Sequence, residues 1–230
     1  VYWNGTPLWS RERTAQMTDL EWQMRNWYYF NWLCGDHIVE QHIHNLDVCN
    51  WIQGAPPVSA QGQGGRAVRV GPDTGEIYDH HMVEFTYADG TKMLSQCRHI
   101  PGCLTSVSEH AHGTLGTADV SGGRILSQGG WDWRYRGESV DPYQREHDAL
   151  FAAIRADTPH DESEYGAHST MTAILGRLAT YSGRLVTFDE ALASHVSLAP
   201  KRYAFDAEAP VLPDAHGNYP SAIPGGTPVL

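Results

Sequence analysis

The stretch from Gly35 to Asp47, GDHIVEQHIHNLD, carries three histidines, three acidic residues and two amides. A buried core segment does not have this composition, and a solvated face would favour Lys and Glu over His. Proton transfer is one chemistry it could support. A His oriented by a carboxylate one helical turn away can take and return a proton near neutral pH, and Glu40 and His44 have that i, i+4 relation. Metal binding is another, because His37, Glu40 and His44 could meet on one face as imidazole and carboxylate ligands for zinc or manganese. His42 points elsewhere on a helix, so the whole set cannot converge. A structural role, with hydrogen bonds to a neighbouring sheet, suits His42 and Asn45. The acid–base reading is preferred for Glu40 and His44, and no metal is assigned.

The elements around this stretch must hold it in place. Val39, Ile43 and Leu46 repeat with helical spacing, which predicts a helix over about 36–53. Gly54 is its cap and Pro56-Pro57 its stop. Asp36, Glu40, His44 and Asp47 share a second, polar face of that helix. Upstream, residues 19–33 are dense in aromatic rings and partly helical, suited to lining a surface or pocket. Downstream, 57–63 and 66–70 read as short strands. Residues 80–99 read as a hairpin turning at Ala88-Asp89-Gly90-Thr91, with His80-His81 just before its first strand and one of them facing outward. A further strand pair is expected over 112–120 and 123–129, and helices over 142–156 and 165–182, the latter ended by Gly183. Residues 184–188 are extended, and Asp189 opens a short helix. The order predicts an α+β fold: an open, mostly antiparallel mixed β-sheet with helices packed on one face. Residues 1–200 form the domain, and the Pro/Gly-rich residues 201–230 a surface tail.

Composition narrows the partners. The chain has 230 residues with 16 basic against 27 acidic, a net charge of −11, so nucleic acid is excluded as a partner. No segment approaches the ~20 apolar residues of a membrane span. Cys34, Cys49, Cys97 and Cys103 form no CxxC pair and read as ordinary thiols. Gly62 to Ala67 matches a relaxed dinucleotide fingerprint, but a strand-like segment follows where a helix must, so phosphate binding there is rejected. Thirteen His, eight Trp and eleven Tyr suit a polar ligand of sugar or polyol size. Trp131 and Trp133 could stack on a sugar or a neighbouring subunit. Arg25, Tyr29, His37, Arg98 and His99 are the candidate substrate contacts. Arg25 and Tyr29 stand just before the helix, and Arg98 and His99 at a strand end where a sheet edge could face it.

Glu40, His44 and Asp47 resemble the Asp-x-x-x-His-x-x-Asp helix of the glucose–fructose oxidoreductase / inositol dehydrogenase / rhizopine-catabolism (Gfo/Idh/MocA) family, with Glu in place of the first Asp and the preceding glycine run reduced to Gly35. Gly113-Thr114-Leu115-Gly116-Thr117 is similar to that family's strand turn, and residues 173–188 to its closing helix. The resemblance covers about residues 25–200. It implies the substrate domain of an NAD(P)-dependent oxidoreductase that moves hydride between a nicotinamide and a sugar or cyclitol carbon. His44 would be the acid/base, and Glu40 would orient it or bind substrate. NAD or NADP would be bound mainly by an N-terminal Rossmann domain that these residues do not include. The family's Glu-Lys-Pro is absent too, the only lysines being Lys92 and Lys201. The chain opens at Val1 and reads as the C-terminal part of a longer enzyme, inactive alone, so a cytoplasmic or periplasmic location is undecidable. The resemblance also implies a homo-oligomer paired through the open sheet face. Two other readings stay open. One is an NAD- or metal-dependent glycoside hydrolase or lyase acting through a keto sugar. The other is a non-catalytic sugar-binding or oligomerisation module.

Overall fold

A computed structural model describes all residues, Val1–Leu230. The elements run β1 (Tyr2–Gly5), α1 (Asp19–Arg25), a 3-10 turn (Trp27–Tyr29), α2 (Asn31–Cys34), α3 (His37–Glu40), α4 (Ile43–Gln53), β2 (Ser59–Gly65), β3 (His80–Thr86), β4 (Lys92–His99) and β5 (Ser106–Ser108). They continue through β6 (His110–Gly113), β7 (Gly116–Asp119), β8 (Arg124–Ser127), β9 (Asp132–Arg134), α5 (Pro142–Ala156), α6 (Ser163–Ser182), β10 (Val186–Thr187) and α7 (Phe188–Leu192). The chain divides into two compact units, one of residues Val1–Glu109 with Ser169–Leu230 and one of His110–His168. The fold is α+β, with open, mostly antiparallel sheets and packed helices. No helix is long and apolar enough to cross a membrane.

The larger unit holds a six-stranded sheet in the order β10-β2-β3-β4-β1-β5. Every neighbour pair is antiparallel except β1 with β4. The period-2 pattern of β3 sends His81, Val83 and Phe85 inward and leaves Met82 exposed. Val83 and Phe85 pack with Ile38, Leu46, Leu175, Ala179 and Val186 into the main core. The helix α6 lies close to the sheet because Gly176 has no side chain: a Cβ there would sit 2.7 Å from Phe85 Cζ and 2.9 Å from Ile38 Cδ1. A second, aromatic core gathers Trp22, Tyr28, Phe30, Ile77 and Tyr219, with Trp22 and Tyr219 stacked at 5.7 Å between centroids.

The smaller unit contains a four-stranded antiparallel meander, β6-β7-β8-β9, and the helix α5. Asp141 caps α5 by accepting from the Tyr143 N–H, with Pro142 at the first turn.

Three expectations need correction. The helix over 36–53 is broken into α3 and α4 at Gln41-His42. The cause is His42, whose ring is buried between Asn45 Oδ1 at 3.2 Å and Ser95 Oγ at 2.8 Å. Holding that ring against the sheet displaces the backbone, and the His42 N–H reaches back five residues to the His37 carbonyl. Residues 66–70 form no strand. The N–H groups of Ala67, Val68 and Arg69 instead converge on Asp79 Oδ2 at 2.7–3.1 Å. Finally, β4 is an interior strand between β3 and β1, so Arg98 and His99 do not lie on a sheet edge.

Candidate functional site

Two neighbouring constellations arise from the segment 35–47. The first is buried and centres on Asp36. Gly35 and Asp36 both have positive φ, 75° and 78°, turning the chain sharply between α2 and α3. For Asp36 that backbone is strained, and its carboxylate is correspondingly well held. Oδ2 accepts from the Tyr78 N–H at 3.0 Å and from the Tyr181 hydroxyl at 2.5 Å. Oδ1 accepts from the His37 N–H at 2.5 Å. The same Oδ1 lies 2.8 Å from His37 Nδ1 and 3.2 Å from His81 Nε2, and all three side chains have no exposure. His37 stacks on His99 at 4.5 Å, and His99 in turn on Tyr28 at 5.6 Å.

Electrostatics follow from this burial. Desolvation works to raise the Asp36 pKa, but the imidazoles of His81 and His37 outweigh it and hold the group well below the carboxylate range. Desolvation opposes charge on His37 as well, yet Cys97 and Asp36 bring it up to about 10. Burial pushes the His81 pKa down, with Asp36 opposing. His42 and His99 are each brought down to about 3, chiefly by desolvation, and are neutral.

The second constellation is at the surface. The break after α3 places His44 in the first turn of α4 with its ring exposed, 6.0 Å from the Trp3 ring at a tilt of 36°. Glu40, at the end of α3, is half-buried and accepts from Gln41 Nε2 at 2.5 Å. Asn45 turns inward to Glu109, and Asp47 accepts from Ser169 Oγ, so the polar residues of the segment are divided between surface and interior.

The other candidates scatter. Arg25 is exposed and paired with Glu21 at 3.4 Å. Tyr29 is buried; its hydroxyl donates to the Leu8 carbonyl at 2.8 Å, and Arg69 sits 3.8 Å over its ring. Arg98 donates to the Leu104 carbonyl at 2.8 Å. Only His37 and His99 meet. His37, Glu40 and His44 form no common ligand set, because His37 is buried with Asp36 and His81 while His44 is exposed. Sequence reasoning missed Asp36, His81 and Tyr181 as partners. The signal for His81 was available: it shares strand parity with Val83 and Phe85, whereas His80, expected like it to precede the strand, opens β3 half-exposed.

The glycine-rich loop fits no dinucleotide. Gly62 and Gly64 lie inside β2, where a Cβ would come within 2.6 Å of the Met82 carbonyl and 2.7 Å of the His80 carbonyl. These glycines permit close strand pairing, and no helix N-terminus follows them to receive a pyrophosphate.

No protein-family model matches the sequence, and a search of curated proteins finds no match. Solved structures do match. A Thermotoga maritima protein assigned as an oxidoreductase aligns with a TM-score of 0.59 and 18% identity, over 81% of this chain and 54% of its own. An aldose–aldose oxidoreductase from Caulobacter crescentus, solved with glycerol, gives 0.58 and 15%, over 81% and 53%. The fold is that of the Gfo/Idh/MocA oxidoreductases. It corresponds to their C-terminal domain, and the chain spans about half the length of the structures it matches. A levoglucosan dehydrogenase solved with NADH and levoglucosan aligns with 0.58 and 12%, over 81% of this chain and 57% of its own. At these identities the likeness establishes the Gfo/Idh/MocA fold and nothing finer.

Proposed function

We propose that this chain is the substrate domain of an NAD(P)-dependent oxidoreductase acting on a sugar or cyclitol, with His44 as the acid/base. The observation that carries this reading is the helix break, which leaves one imidazole of the segment, His44, in solvent while His37 and His42 are buried. An exposed imidazole at a helix start can take the proton of a substrate hydroxyl as its carbon loses hydride. Trp3 beside it offers a ring face for the C–H side of a pyranose or cyclitol. Glu40, held by Gln41, is positioned to accept a substrate hydroxyl. The buried Asp36 network fixes the backbone from which both side chains project. In this reading NAD or NADP is the hydride acceptor and is held by residues outside this chain. The open sheet face, where Met82 and Leu94 are exposed, supports pairing of two copies.

The test uses the full-length protein with NAD and NADP against a panel of pyranoses and cyclitols. Nicotinamide reduction with at least one of them, and a keto product by mass spectrometry, is the expected result. Absence of reduction with every substrate and both cofactors would remove the dehydrogenase reading.

A further inference from the structure

Neither ring nitrogen of His37 and not Nε2 of His81 makes a well-aligned hydrogen bond in the buried constellation, where Asp36 and the Cys97 thiol lie against them. Unsatisfied polar atoms at this depth are costly and call for an explanation. The bonding of Thr180 selects one tautomer for a neutral His81. Thr180 Oγ1 donates to the Arg177 carbonyl at 3.0 Å, so its oxygen accepts from His81 Nδ1 at 2.9 Å. A neutral His81 therefore turns the Nε2 lone pair toward Asp36 Oδ1, 3.2 Å away. Two lone pairs face one another across that gap unless a positive species, a bound cation or a second proton on His81, lies between them. His37 Nδ1 approaches the same oxygen at 2.8 Å, off hydrogen-bond alignment.

We propose that Asp36, His37 and His81 form a buried site for a zinc-type divalent cation. One donor atom from each residue lies within 4.8 Å of the other two. Ligand atoms around a tetrahedral zinc, with bonds of about 2.0–2.2 Å, stand about 3.3 Å apart, close to the 3.2 Å between Asp36 Oδ1 and His81 Nε2, and His37 Nδ1, 2.8 Å from the same oxygen, would open outward on binding. Two imidazoles and a carboxylate are a zinc-type donor set. The groups behind the ligands fit as well. Thr180 fixes the tautomer of His81, and Tyr181 and the Tyr78 N–H occupy Asp36 Oδ2, turning Oδ1 toward the imidazoles. The three side chains supply three of the four donors of a tetrahedral ion, and an enclosed water would supply the fourth; because the ligands have no exposed surface and join the Gly35-Asp36 turn to β3, the role is structural. It lies outside the proton chemistry proposed for His44, and its failure would leave that reading standing.

The test is metal content by mass spectrometry of the full-length protein, unfolded with chelator and refolded with or without Zn²⁺. Stoichiometric zinc retained after gel filtration, with a higher Tm than the metal-free sample, is expected. Refolding with Co²⁺ should give the intense visible absorption of a tetrahedral site. His81→Ala should lower zinc affinity by at least about tenfold, while His80→Ala, altering the half-exposed neighbour, should leave it intact. If His81→Ala does not fold, the wild-type metal and Co²⁺ readings decide alone. Wild-type protein that refolds equally well without zinc and retains none would overturn the proposal, and a shared proton would then hold Asp36 to the imidazoles.

Discussion

Burial keeps the His42 imidazole neutral, with its pKa down at about 3 against 6.5 for a free side chain. An unfolded chain binds a proton there that the folded chain refuses. The stability His42 confers is therefore complete above about pH 6.5 and is lost as pH falls toward 3. His99, lowered to about 3 by the same desolvation, adds to this acid limb. Glu76 works in the opposite sense. Desolvation pushes it up to about 7, although its Oε1 accepts from the Asn31 N–H at 2.8 Å. Its contribution is complete below about pH 4.5 and is lost as pH rises through 7. Glu76→Gln should therefore be more stable than wild type at pH 8, by about 1–2 kcal/mol, and show no such gain at pH 4.5. Urea midpoints of wild type and Glu76→Gln from pH 3 to 9 test both statements. A Glu76→Gln gain equal at every pH would show that the effect is packing rather than ionisation.

The hairpin of β3 and β4 and the helices α5 and α6 are legible in the sequence because each signal is local: Asp89-Gly90 at a turn, Asp141-Pro142 at a helix start, Gly183 at a helix end. The break between α3 and α4 is not local. Val39, Ile43 and Leu46 keep helical spacing across it, and the buried ring at the break, His42, bonds Ser95, 53 positions away. The Asp36 constellation was hidden for the same reason, since its members come from the Gly35-Asp36 turn, β3 and α6. Asp36→Ala removes the acceptor of Tyr78, Tyr181 and His37 together and leaves buried polar groups without partners. It should cost about 3–5 kcal/mol, read as a fall in Tm. Gly176→Ala tests the packing of α6 against the sheet. A methyl forced within 2.7 Å of Phe85 Cζ should cost about 1–3 kcal/mol, and a variant as stable as wild type would mean that α6 can lift without penalty.

The chain as a whole carries the substrate half of the chemistry proposed for it. It spans about half of each matching oxidoreductase, and its one glycine-rich match to a nucleotide fingerprint is a paired strand. In that proposal the cofactor half lies outside these residues, and His44 is contributed from them. The most direct test is steady-state kinetics of full-length wild type and His44→Ala, on the substrate that best reduces NAD or NADP. Because His44 is exposed, with its ring against the half-buried Trp3, the account predicts a Tm little changed, a KM altered little, and a kcat lower by about 10²–10⁴. A His44→Ala enzyme that keeps wild-type kcat would contradict the assignment of His44 as the acid/base.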